Sequence, residues 1–283
     1  MNINKTISID EIKKIFNNKN EKIEYLTKLY KETNITKNIP KNLKAIDEEI
    51  INTWNYEISN KIIRKLFQKT DKYKVGEFSS HAIKEMINEW EKLKLGEIKW
   101  PFSAKGFDQY IQSVNKRDIP EKEKDTIVQK DAIRFRRIKK INTARNDFIE
   151  YLIVKHNDNV TPTLRHSRGV DFYIDGIPFD QKVSKSVTTE FQNDYGKNWK
   201  NYAIAHPEEV GKYLYKYQDE NRFGAEARLL IVYLEDNINE EDIYKCINKA
   251  NLKEPYHIKF DYIHSHNIRK TYETNCYIIL LHK

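Results

Sequence analysis

Cysteine is scarce in this chain. Cys246 and Cys276 are the two in 283 residues, and neither has metal-site spacing. That rules out a disulfide framework and fits a reducing cytosol. Apolar runs are short as well, and none reaches the length that crosses a bilayer. The opening Met-Asn-Ile-Asn-Lys-Thr-Ile-Ser-Ile-Asp has no signal-peptide core. The expectation is a cytoplasmic chain with no membrane partner. There is no Gly-x-x-x-x-Gly-Lys-Ser/Thr segment, which argues against ATP as a substrate. No serine stands in a nucleophile-elbow setting, and internal repeats and low-complexity tails are missing. His257, His264 and His266 lack a fourth partner for a zinc site.

What is present is charge and a core. Hydrophobic residues make up 39% of the chain, enough to bury a real interior, and the formal net charge is +8. A basic surplus suits a polyanionic partner, with nucleic acid first among them. The eighteen tyrosines are read mainly as half-buried packing residues, some able to stack on bases.

The N-terminal part, residues 1–125, reads as mostly helical. Ser8 caps a helix carrying Ile12, Ile15 and Phe16. Apolar residues recur at helical spacing over Glu21 to Tyr30, over residues 43–69, and over Ser80 to Leu93. Asn115 to Lys124 is charged, contains Pro120, and is the linker candidate. A long helix then runs to His156, its first half strongly basic with Arg134, Arg137, Lys140 and Arg145. Such a face suits a phosphate backbone, or is a solvated surface. The Arg165-His166-Ser167-Arg168 run reads as a polar loop whose arginines, like Lys185 further on, are candidates for touching phosphates. Strands are expected over Ala227 to Leu234, Tyr256 to Ile263 and Tyr272 to Leu281, with helices at Pro207 to Gln218 and Glu240 to Ala250. The fold class is α/β (α+β): a mixed central sheet flanked by helices, after a mostly helical N-terminal region.

The stretch richest in chemistry is Val170 to Val183. Asp175-Gly176 signals a two-residue type I′ turn, because both central positions want positive φ. The register then follows: Ile174 opposite Ile177, Tyr173 opposite Pro178, Phe172 opposite Phe179, and Asp171 opposite Asp180. Pro178 is the weak point, since it cannot donate to a ladder and a bulge there shifts the pairing. Two carboxylates about 4.5–5.5 Å apart repel each other and call for a cation. Lys182 shares the face of Asp180 by strand alternation. Carboxylates with one lysine suit Mg²⁺, which polarises a phosphate and activates water.

This hairpin resembles the core of the PD-(D/E)xK nuclease superfamily, the fold of many type II restriction endonucleases. Asp171 matches the acid of the first core strand, and Asp180-Gln181-Lys182 matches the acid-x-Lys triplet. Val170 replaces the proline that often precedes the first acid, and Asp180 stands where glutamate is commoner. The resemblance spans roughly residues 130–235 and implies a restriction-endonuclease-like core. It also implies a further acid on the preceding helix, Glu150, with Asp147 one turn away as the other choice. The implied ligands of Mg²⁺ are Asp171, Asp180 and Glu150, with Lys182 completing the catalytic set. The implied activity is sequence-specific hydrolysis of double-stranded DNA by a homodimer in a restriction-modification setting. On this reading residues 1–125 serve recognition or dimerisation, and residues 126–283 form the catalytic domain. The alternatives are a nuclease for repair, RNA decay or phage defence, and a nucleic-acid-binding protein without catalysis.

Overall fold

The structure is a computed structural model that describes residues 6–98, 103–167, 169–218 and 223–283. Helices α1 (Ile9–Ile15), α2 (Lys19–Thr33), α3 (Leu43–Thr53), α4 (Tyr56–Phe67), α5 (Asp71–Lys92), α6 (Ala104–Asn115) and α7 (Glu121–His156) come first. Strands β1 (Val160–Ser167), β2 (Val170–Ile174) and β3 (Ile177–Ser184) follow. Then come α8 (Thr189–Tyr195), α9 (Trp199–Ala205), α10 (Pro207–Lys216), β4 (Arg228–Tyr233), α11 (Glu240–Lys249), β5 (Tyr256–His264) and β6 (Ile268–Leu281). The fold is α+β. Asparagine and serine start many of the helices: Ser8, Asn18, Asn42, Asn55 and Ser103 each accept a first-turn backbone N–H. Among the described residues no helix is long and apolar enough to cross a membrane.

The chain divides into two compact units, 1–74 with 151–283, and 75–150. The expected division at 125/126 is therefore not where the packing divides. The first four helices belong with the sheet, and the reason is polar as well as apolar. Ile62, Ile63, Leu66 and Phe67 of α4 are buried, and α4 and α1 pack on β1. Arg64 donates to the carbonyls of Asn157 (2.6 Å) and Val160 (2.9 Å). Asn60 donates to the Asp158 carbonyl (2.7 Å) and accepts from the Thr161 hydroxyl (2.8 Å). The turn from α7 into β1 thus has its backbone satisfied by α4.

The sheet has six strands in the order β1-β2-β3-β4-β6-β5. β1, β2 and β3 are antiparallel; β3, β4 and β6 run parallel; β5 returns antiparallel to β6. β4, six buried residues long, lies at the centre, as its apolar run predicts. One face packs Leu230, Val232, Cys276 and Leu280 against Val187, Phe191, Val210 and Tyr215. β1 takes in Arg165 to Ser167 of the run read as a polar loop, so that part is strand. Its threonines are buried and bonded rather than solvated, Thr161 to Asn60 and Thr163 to the Arg165 carbonyl. Pro162 is accommodated because β1 is an edge strand. β6 also begins earlier than its apolar residues indicate, at Ile268, where the β5–β6 ladder is already paired.

The second unit is helical. Phe107 stacks on Phe135 with centroids 4.7 Å apart, Tyr110 donates to Asp131, and Arg137 pairs with Glu89 at 2.7 Å.

Candidate active site

The site starts from the Asp175-Gly176 turn. Both residues have positive φ, 50° and 73°, the type I′ pattern. The expected register follows from it: Ile174 with Ile177, Tyr173 with Pro178, Phe172 with Phe179. Pro178 does not disturb it. Counting outward from a two-residue turn, Tyr173 and Pro178 form a non-hydrogen-bonded pair, so the missing N–H was not needed there.

After Phe179 the pairing changes. β3 leaves β2 and joins β4, with Asp180 to Ser184 aligned on Arg228 to Val232. The Asp180 N–H donates to the Ala227 carbonyl at 3.2 Å. The next N–H, of Gln181, is taken by the Asp171 side chain, whose Oδ2 accepts it at 2.8 Å. The two aspartates thus meet at a fork between β2 and β3, through a side chain and not through a continued ladder. Asp180 is buried, and its Oδ2 holds the Lys182 ammonium at 2.6 Å, while the Lys182 side chain is 53% exposed. Burial pushes the Asp171 carboxyl above its ordinary value of 3.8, and the nearby Asp180 charge pushes the same way. The Gln181 N–H, Lys72 and Lys182 oppose that shift.

Lys72, in the first turn of α5, is the member of this neighbourhood that sequence reasoning missed. It is a hundred residues away in the chain with no motif around it. Glu226 and Arg228 are two more. Arg228 is buried, donates to Glu226 at 2.7 Å and to Gln218 at 2.7 Å, and aligns with Asp180. Arg228 and Lys182 help hold the Glu226 carboxyl below its usual range, against the desolvation that would raise it.

Other expected residues are on α7, on β1 and just past β3. Glu150, buried, and Asp147, half-buried, are on α7 in the second unit. On the same helix Arg145 is buried, Arg134 lies 3.5 Å from Asp131, and Arg137 is tied to Glu89. Lys140 is exposed. The basic face is thus partly spent on internal pairs. Arg165 is exposed on β1, and Lys185 is exposed just past β3. Arg168 lies outside the described residues.

Among the described residues no group of three or more His, Cys, Asp or Glu gathers as a metal-holding set. The donors at the fork are the carboxylate pair. Oxygen donors of this kind match Mg²⁺, which takes one or two carboxylates and fills its shell with water and phosphate oxygens. Comparison with protein families, with curated proteins and with solved structures finds no match for this chain.

Proposed function

We propose that this protein is a Mg²⁺-dependent endonuclease that hydrolyses phosphodiester bonds in double-stranded DNA, of the restriction type, with a core like that of the PD-(D/E)xK nucleases. The observation that carries the reading is the fork: Asp171 turns to the Gln181 N–H while Asp180 holds Lys182 beside it. The strand order supports it too. A β hairpin leads into a parallel partner across a helical crossover, and the acids sit where β3 changes neighbours.

Asp171 and Asp180 would hold the metal. Bound there, Mg²⁺ supplies polarisation of the scissile phosphate and a water of lowered pKa. The rest is done by side chains. The Lys182 ammonium, anchored on Asp180 yet half exposed, reaches a phosphate laid against the same carboxylate and stabilises charge on it. The Gln181 N–H fixes one Asp171 oxygen and so aims the other. Glu226 and Arg228 pair beside Asp180 on the β4 side of the fork. Cutting both strands of a duplex fits a two-fold homodimer.

The test is incubation of the purified chain with varied duplex DNA and Mg²⁺, with end sequencing of the products. Cleavage at one short sequence, lost on chelation and reduced at least about 100-fold in Asp180→Asn, is the expected result. Intact DNA with every duplex, or undiminished cutting by Asp180→Asn, overturns the assignment.

A further inference from the structure

β5 lies at the edge of the sheet, and among the described residues β6 is its one strand neighbour. The two pair over all nine residues, Tyr256 to His264, with no break in register and no proline. Natural proteins block open strand edges with prolines, bulges or covering segments. A groove of about 540 Å³ runs beside this one instead, between Lys212 and Lys216 of α10 and Lys259, Asp261 and Ile263 of β5. The α10 lysines are held on their own helix, Lys212 3.4 Å from Glu209 and Lys216 5.0 Å over the Tyr217 ring. The strand itself is symmetric about its middle residue. Phe260 has Ile258 and Tyr262 two places away on the same buried face, and Lys259 and Asp261 one place away on the other face.

We propose that β5 pairs antiparallel with β5 of a second copy of this chain, on a two-fold axis through Phe260, so that the two sheets become one. The need for a second copy rests on the nuclease reading, and the surface that answers it rests on β5. In this register Phe260 faces Phe260, Ile258 faces Tyr262, and each Lys259 faces an Asp261. Charge then alternates along a row of four strands: Glu273, which holds Lys259 at 3.0 Å, then Lys259, then Asp261 of the second copy, which its Thr271 bonds at 2.6 Å. On the other face Phe260 stacks on Tyr272 with centroids 5.7 Å apart, and the symmetric pair continues that aromatic row. A two-fold axis one residue to either side sets Lys259 on Lys259 or Asp261 on Asp261. Like charges directly opposite are destabilising, so charge selects the register.

The test is sedimentation equilibrium of the full chain without DNA, up to about 100 µM, where a monomer–dimer equilibrium is expected. Lys259→Glu sets a carboxylate against Asp261 of the second copy, and Asp261→Lys sets an ammonium against Lys259. Each alone is expected to weaken the dimer at least about 10-fold. Mixed together, the two variants carry opposite charges at both places and should form a heterodimer about as tight as the parent, which also shows that both are folded. A wild type that stays monomeric, single variants that dimerise like the wild type, or a mixture that does not associate overturns the interface, whether or not the chain cuts DNA. A dimer that follows the charge pattern in a chain that cuts nothing keeps the interface and overturns the nuclease reading.

Discussion

Asp171 is held in a setting that its charge dislikes. Burial and the Asp180 charge raise its carboxyl pKa above 3.8, so the folded chain holds that proton more tightly than the unfolded chain does. Stability therefore falls as pH rises through the carboxylate range, and the cost is complete above the folded value. Asp171→Asn keeps an oxygen for the Gln181 N–H and removes the charge. It is expected to stabilise the apo protein at pH 7 by about 0.5–2 kcal/mol, the range of stabilising changes at functional positions, with no gain near pH 3. Urea melts at the two pH values check this, and an equal effect at both refutes it. Mg²⁺ at about 100 times its Kd is expected to stabilise the wild type by roughly 2.7 kcal/mol. Asp171→Asn should lose most of that gain, as read by thermal melts. Lys182→Ala is expected to lower single-turnover cleavage by about 10²–10⁴-fold while duplex affinity moves far less.

The hairpin and the strand before it depend on sequence in opposite ways. Asp175-Gly176 dictates φ and thereby register, so the hairpin was legible from the turn outward to Phe172 and Phe179, while the expected pairing of Asp171 with Asp180 is not part of the ladder. What the turn does not encode is that β3 switches partners at Asp180, because β4 lies nearly fifty residues further on. Nor does it encode Lys72, brought in by a helix with no motif. β1 was illegible for a different reason: its buried positions alternate Val160 and Leu164 with Thr161, Pro162 and Thr163, and the threonines look like loop residues until Asn60 is seen bonding one of them. The same α4 clasp gives an element-level prediction. Arg64→Ala removes donors from two carbonyls that α4 covers, and is expected to cost about 2–4 kcal/mol. Gly176→Val, at a positive φ that a β-branched residue resists, should cost roughly 1–2 kcal/mol. Chemical denaturation measures both.

For the whole molecule, composition and periodicity showed a helical first half and a mixed second half, but not how they share a core. Their alternation along the chain indicated two consecutive domains. The packing instead joins residues 1–74 to 151–283, through partners some ninety to a hundred residues apart such as Arg64 and Asn157 or Tyr56 and Asn159. A fragment of residues 126–283 is therefore expected to be unfolded or aggregated. Circular dichroism and amide exchange of that fragment test the point, and a cooperative melt matching the intact chain refutes it.

The α4 clasp also sets an order of events during synthesis. The ribosome releases Arg64 and Asn60 well before their acceptors at 157–160 exist. At about 5–20 residues per second, the interval is roughly 5–20 s. For that time the apolar faces of a four-helix segment have no strand to lie on, and residues 75–150 emerge in between. Chaperone demand should peak in that window, and ribosome-bound chains halted before residue 157 should be far more sensitive to protease than those halted after residue 185.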